Sequence, residues 1–343
     1  MNDLSKVVGY YLRMLLPNIK SYLRDGQQLI DDLKTIRVPP NARLVTSDAN
    51  SMYNNIDTPH AIQVISWWLD ELEPDLPPGY PIEAVKYAMR LVMENNVFEF
   101  GTQHYIQLLG TAMGTSAAVM WATLYFGYHE AHLLLPTYSQ QLFYYRRFID
   151  DIFAIWLIED GTSWTDFKHD INDFGVLTWE TEEPSTSVNF LDMTLTIVED
   201  RIEFRTYQKD MNLYLYLPPT SAHPGGCIKG TIYGLIGRYF AQNTHHKDYL
   251  KFVGLLYSRL LNRGWEQSYI KPLILEACST IESRDRTPTP TNATDATSDN
   301  NMLFIHVQYH PDDIPRNRIR QLYDHHLGEL IQSELDIELP TIA

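Results

Sequence analysis

Three aspartates have the types and spacing that could do chemistry. Asp48 follows the apolar run Leu44-Val45, and Asp150-Asp151 interrupts an aromatic and β-branched stretch, Phe143 to Ile158, 102 residues further on. Carboxylates are hard oxygen donors that bind Mg²⁺ and leave positions open for phosphate oxygens. Three of them at two strand ends can hold a pair of ions about 3.5–4 Å apart, one activating an attacking hydroxyl and the other stabilising a leaving pyrophosphate. That is the chemistry of nucleotidyl transfer. Two-residue hairpin turns ordinarily use Asn-Gly or Asp-Gly, so two adjacent acids between apolar strands run against local preference and call for a cation opposite them. Taken singly, Asp48 reads equally as a turn residue or helix cap, and Asp150-Asp151 as a solvated acidic turn.

Two further blocks bear on a nucleotide. Tyr53 lies five residues after Asp48, where a ring can pack under a sugar and leave no room for a 2′-hydroxyl; alone it reads as a core tyrosine. Gly110 and Gly114 stand four apart in Gly110-Thr-Ala-Met-Gly-Thr-Ser. They allow a base pair or phosphate to approach the backbone closely, although such a loop entering a helix is also ordinary packing. Lys168 and Lys209 are both candidates for the acid that protonates pyrophosphate. His306 and His310 lack partners at metal-ligand spacing, and strand alternation accounts for them.

Positioning these residues requires a substantial core. Of 343 residues 44% are hydrophobic and 20% charged, which excludes a disordered or fibrous chain. Two cysteines, Cys227 and Cys278, exclude a disulfide framework and a four-thiolate zinc site. With no secretory pattern at the N-terminus, they suggest an intracellular protein, nuclear or cytoplasmic. The long uncharged run from Val97 to Tyr128, broken by Glu99, is rich in Gly, Thr, Ser and Gln and reads as a buried loop and helix, not a membrane span. The net charge is −16, awkward for a phosphate binder, but its distribution is uneven. Between Lys229 and Arg263 six basic residues face one acid, while the rest of the chain carries 21 basic and 42 acidic residues.

The hydrophobic pattern predicts two helices over Leu4–Ile36 broken at Pro17, a strand Arg43–Ser47, and helices Pro59–Leu72 and Glu83–Asn95. A hairpin around Gly101 spans Val97–Gln107, and a long helix capped by Thr115 or Ser116 runs to Leu135. Phe143–Ile158 is a hairpin with the acids at its tip. A helix Trp164–Asn172 follows, then strands Val176–Thr181, Val188–Val198 and Arg201–Gln208, and helices from Thr231 to Arg263 and on to Thr280. Arg284–Asn301 reads as a disordered linker by composition. A strand Met302–Tyr309 and a helix Arg316–Leu335 close the chain.

The order of the blocks resembles reverse transcriptase motifs: Leu44-Val-Thr-Ser-Asp48-Ala-Asn-Ser-Met-Tyr53 as motif A, Tyr105-Ile-Gln-Leu-Leu-Gly110-Thr-Ala-Met-Gly114-Thr as motif B, and Arg147-Phe-Ile-Asp150-Asp151-Ile-Phe as motif C. Asn189-Phe-Leu-Asp192 resembles the D/E region, and Ser221-Ala-His-Pro224 with Arg259-Leu-Leu-Asn-Arg263-Gly-Trp265 resembles the thumb. Phe304-Ile-His-Val-Gln-Tyr-His310-Pro and Arg316 to Arg320 are similar to the block after it. The likeness is to retroelement polymerases of the Penelope-like type.

The resemblance implies an α+β right-hand polymerase: a palm made of an antiparallel sheet with helices behind it, plus a helical thumb. It implies Asp48 and Asp150 as principal metal ligands with Asp151 as auxiliary acid, and two Mg²⁺ ions for which Mn²⁺ can substitute. Ala49, Tyr53, Met113 and Gly114 would contact the nucleotide, Tyr53 selecting deoxynucleotides. Phe190, Leu191 and Asp192 would steady the primer end. Lys229, Arg238, Lys251, Arg259 and Arg263 would follow the phosphates of a template–primer duplex, Arg259 and Arg263 being four apart on one helix face. The implied partners are an RNA template, a DNA primer and deoxynucleoside triphosphates.

The implied domains are residual fingers helices at 1–47, palm at 48–210 with a fingers insertion near 58–107, thumb at 211–283, linker at 284–301 and a thumb-associated segment at 302–343. Only 47 residues precede Asp48, so the fingers are expected to be truncated, and no Gly-Ile-Tyr/Tyr-Ile-Gly endonuclease pattern is present. The alternatives are a catalytically silent relic that binds duplex, an RNA-dependent RNA polymerase, and a nucleotide cyclase on a similar palm.

Overall fold

The structure, a computed structural model, describes residues 2–111, 114–159, 161, 163–286, 302–303, 318, 321 and 341–342. The chain divides into two compact units, Met1–Lys209 and Asp210–Ala343.

The first unit opens with α1 (Asn2–Arg13) and α2 (Gly26–Thr35), separated by a short 3-10 turn at Leu16–Asn18 around Pro17. Asp25 caps α2 by accepting from the Gln28 amide at 2.8 Å. β1 (Ala42–Ala49) is followed by α3 (Thr58–Glu71), which Asp57 caps at His60, and by α4 (Ile82–Glu94). A hairpin of β2 (Val97–Phe100) and β3 (Gln103–Ile106) turns at Gly101.

The expected long apolar helix is α5 (Ala118–His129), which continues as a π-helical turn over Glu130–Leu134 and then as α6 (Leu135–Thr137). It begins later than expected, and neither Thr115 nor Ser116 caps it. The amide of Ala117 instead donates to Ser5 Oγ of α1 at 3.2 Å, so the cap comes from a neighbouring helix.

β4 (Leu142–Phe148) and β5 (Asp151–Leu157) form the central hairpin, followed by α7 (Ser163–Asp170) and β6 (Trp179–Thr181). The order β4-β5-β1-β6 makes one four-stranded sheet, and every pairing in it is antiparallel. The strand expected over Val188–Val198 folds back on itself: β7 (Ser187–Phe190) and β8 (Met193–Val198) turn at Leu191-Asp192, with Leu191 left-handed at φ 53. With β9 (Arg201–Thr206) they make a second, three-stranded antiparallel sheet.

Strand alternation assigns two faces to the central sheet. Ile152, Ala154 and Trp156 join a core with α1, α3, α4 and α5, where Leu12, Ile65, Met89 and Trp121 are buried. The opposite face carries Phe153, whose ring lies 5.5 Å from that of Phe190 on the three-stranded sheet. β5 is therefore covered on both sides, which explains its unbroken apolar run, and β1 is buried everywhere between Leu44 and Ala49 except at Asp48.

The second unit packs α8 (Gly226–Ala241), α9 (His246–Asn262) and α10 (Gln267–Arg286) around Ile232, Ile236, Leu256, Leu260 and Ile270. The helix expected over Thr231–Arg263 is two helices, broken at Gln242–His245, and α10 runs three residues into the expected linker. Of the expected strand Met302–Tyr309 only Met302–Leu303 is described, as a strand, and of the expected helix Arg316–Leu335 only Arg318 and Gln321; most of the linker and the residues Met113, His306 and His310 lie outside the described residues.

Candidate active site

Register decides where the acids meet. In the antiparallel pairing of β1 with β5, Asp48 stands opposite Asp151, and in the pairing of β1 with β6 it stands opposite Glu180. Directly paired residues share a face, so Asp151, Asp48 and Glu180 form a row across three strands. That is the face towards the three-stranded sheet, and the row opens into a groove of about 660 Å³ lined also by Thr181, Asn189, Phe190, Leu191, Tyr207 and Lys209.

The acids do not both sit at the hairpin tip, as expected. The two-residue turn is Ile149-Asp150, and Asp151 is already the first residue of β5. The turn bends back onto β1 through the Ala49 amide, which donates to the Asp150 carbonyl at 2.9 Å. Asp48, Asp150 and Asp151 are thereby neighbours. Burial raises the Asp48 carboxyl, and the charges of Asp150 and then Glu180 add to it; Lys209 opposes them. Burial, Asp150 and Asp48 push Asp151 up to about 6, again against Lys209. The cation called for by the paired acids is thus Lys209. Lys168 is engaged elsewhere, donating to Glu183 at 2.5 Å beside the Trp164 ring.

Hard oxygen donors with too little positive charge among them fit a divalent cation in chemistry. They are neighbours and not a closed cage: among the described residues, no group of three His, Cys, Asp or Glu side chains stands in position to hold a metal ion.

Tyr53 is half-buried against the helical core, and burial followed by the Asp150 charge pushes its hydroxyl up. Its carbonyl accepts from the Thr111 amide at 2.7 Å, and the Gly110 amide donates to the Ile56 carbonyl at 2.8 Å. A Cβ on Gly110 would overlap the Tyr53 carbonyl oxygen, and Gly110 has φ +78, so this glycine seats its loop directly on the Tyr53 backbone. Gly114, at φ +90, has open space around it among the described residues.

Ile149 is left-handed at φ 58, a costly conformation for a β-branched residue, about 1–3 kcal/mol. Arg147 Nη1 donates to its carbonyl at 2.8 Å, and a hydrogen bond from a charged donor contributes about 1.5–3 kcal/mol, enough to hold it. Arg147 and Glu130 are both fully buried and meet as a two-pronged ion pair at 2.8 Å. Glu180, Glu130 and the holding role of Arg147 were not among the sequence-predicted site residues.

The basic residues of the second unit are placed differently from a free stripe. Arg259 stacks over the Tyr214 ring at 4.0 Å, Arg263 Nε donates to the Tyr216 carbonyl at 2.7 Å, and Lys229 pairs with Glu276 at 3.2 Å. Arg238 and Lys251 are exposed.

No protein-family model matches the chain, and no curated protein matches it. Among solved structures, telomerase from Candida albicans, in complex with a TWJ fragment of telomeric RNA, aligns with a TM-score of 0.54 at 9% identity, over 82% of this chain and 53% of that one. The chain has a polymerase-like fold. Telomerase from Candida tropicalis with its TWJ fragment (TM-score 0.45, 11% identity, 83% of this chain and 47% of that) and the Sicinivirus 3Dpol RNA-dependent RNA polymerase (0.44, 16%, 75% and 54%) align more loosely. The chain spans about half the length of the Candida albicans telomerase chain. The likeness is to a polymerase fold and not to the Penelope-like type in particular. Among the described residues no helix is long and apolar enough to cross a membrane.

Proposed function

We propose that the chain is an RNA-directed DNA polymerase that extends a DNA primer on an RNA template. The observation that carries this reading is the register that sets Asp48 opposite Asp151, with Asp150 folded onto Ala49, at the mouth of a groove on a polymerase-like fold. The four-stranded sheet is then the palm and the second unit the thumb.

Asp48 and Asp150 would be the principal ligands of two Mg²⁺ ions, with Asp151 beside them. When bound, the ions supply an activated 3′-hydroxyl and charge stabilisation for pyrophosphate. Lys209, the cation lining the groove, faces the leaving pyrophosphate and is the better placed of the two lysines to give it a proton. The Tyr53 ring packs under the incoming sugar and excludes a 2′-hydroxyl, and Gly110 fixes the ring's backbone from the other side. Phe190 and Leu191, in the groove lining, meet the primer end. Lys251 is the exposed thumb cation offered to duplex phosphates, whereas Arg259 and Arg263 act mainly by holding the 214–217 segment to α9.

Primer extension on an RNA template with Mg²⁺ tests the reading, comparing deoxy- and ribonucleotides. The wild type is expected to prefer deoxynucleotides, and Tyr53→Ala to lower that preference at least tenfold, about 1.4 kcal/mol of discrimination. Ribonucleotide preference in the wild type would favour an RNA polymerase, and product formed without primer would favour a cyclase.

A further inference from the structure

The hairpin that presents Asp150 and Asp151 ends in a conformation its own residues do not favour, since Ile149 is left-handed. What holds it lies behind the sheet. Arg147 is fully buried, and its fork divides between two tasks. Nε and Nη2 grip Glu130 at 2.8 Å each, Nη2 also donates to the Thr123 carbonyl at 2.8 Å, and Nη1 reaches forward to the Ile149 carbonyl at 2.8 Å.

Glu130 is saturated from the other side. Tyr145 donates to its Oε1 at 2.9 Å, and the Ser21 hydroxyl donates to Oε2. The backbone of Arg147 is tied as well: its amide donates to the Ser21 carbonyl at 2.7 Å, and its carbonyl accepts from the Leu23 amide at 2.9 Å. Glu130 opens the π-helical turn at the end of α5, the kind of helix irregularity often found where a side chain is put to use. A rigid helix, the N-terminal segment and the acidic turn thus meet at one guanidinium.

We infer that the buried Glu130–Arg147 pair is the positioning device of the acidic turn, fixing Ile149 and through it the distance of Asp150 and Asp151 from Asp48. Neither side chain reaches solvent, so neither touches a substrate; both act through the Ile149 carbonyl. The inference rests on the reading of that turn as catalytic. Lysine cannot replace Arg147, because a single ammonium cannot grip Glu130 with two prongs and bond the Ile149 carbonyl in one geometry.

The test uses the full chain and a double variant, Glu130→Leu with Arg147→Met, which removes both charges and keeps the volume, so that no buried charge is left unpaired. Five quantities are measured: thermal midpoint, kcat, Mg²⁺ concentration for half-maximal primer extension, duplex affinity, and hydrogen exchange of the Ala49 amide against that of Leu44. The Ala49 amide bonds the Asp150 carbonyl, whereas Leu44, on the same strand, bonds the Ser185 carbonyl. The double variant is expected to fold with duplex affinity within twofold of wild type. Its Mg²⁺ midpoint should rise and its kcat fall, each by about tenfold or more, as for other outer partners of metal ligands. Ala49 protection should fall about tenfold while that of Leu44 holds.

A folded double variant with unchanged Mg²⁺ midpoint, kcat and Ala49 exchange would overturn the inference. If it does not fold, Arg147→Lys is read the same way. A wild type that makes no product refutes the polymerase reading instead, and the Ala49 and Leu44 amides still decide whether the pair holds the turn.

Discussion

Asp151 carries an electrostatic tension that a pH series can read. Its carboxyl titrates at about 6 in the fold, raised first by burial and then by Asp150 and Asp48, against about 3.9 in an unfolded chain. Between those values the folded state holds the extra proton, so stability present below pH 4 is lost as pH rises through 6. In EDTA, Asp151→Asn is expected to equal the wild type below pH 4 and to exceed it by about 1–2 kcal/mol above pH 7, as read by urea denaturation. A constant difference across that range would contradict the geometry. The two glycines separate in the same assay. Gly110→Ala should cost about 2–4 kcal/mol, combining left-handed strain with overlap on Tyr53, whereas Gly114→Ala meets only the strain and should cost about 1 kcal/mol. Asp150 and Asp151 stand out in the sequence because paired acids between apolar strands break the local turn rules, whereas Asp48 becomes distinctive only beside them, in the pairing of β1 with β5. Glu180 was not legible, because its place opposite Asp48 depends on a pairing across more than 130 residues that no local pattern encodes.

At the level of elements, hydrophobic periodicity located α3, α4, the β2–β3 hairpin and the β4–β5 hairpin to within a few residues. It failed where tertiary context supplied what sequence lacked. The cap of α5 comes from Ser5 in another helix, and the Leu191-Asp192 turn uses a left-handed leucine where turn chemistry would ask for Gly or Asn. The helices of the second unit show the same limit: a run of basic residues is legible as charge, while the partners that absorb it are not. Arg263→Ala is expected to lower stability by about 1 kcal/mol through the loss of its bond to Tyr216. Lys251→Ala, on an exposed face of α9, should change stability by less than about 0.5 kcal/mol and reduce the salt dependence of duplex binding by about one unit of slope. The reverse pattern would restore Arg263 to the binding surface and remove Lys251 from it.

For the whole molecule, a net charge of −16 means that long-range attraction to a duplex is weak, so that the proposed duplex binding has to rest on a few local cations. On the proposed reading, function depends on the groove and not on a general affinity for nucleic acid, and there on Asp48 of β1, Asp151 of β5 and Asp150 of the turn beside them. Primer extension with Mg²⁺ on an RNA template, comparing the wild type with Asp150→Ala at equal duplex occupancy, measures that dependence directly. The wild type should extend the primer, and the variant, with duplex affinity unchanged, should lose about a thousandfold or more in rate, some 4 kcal/mol of transition-state stabilisation. Equal product from both chains would show that the acidic turn is not where the chemistry occurs.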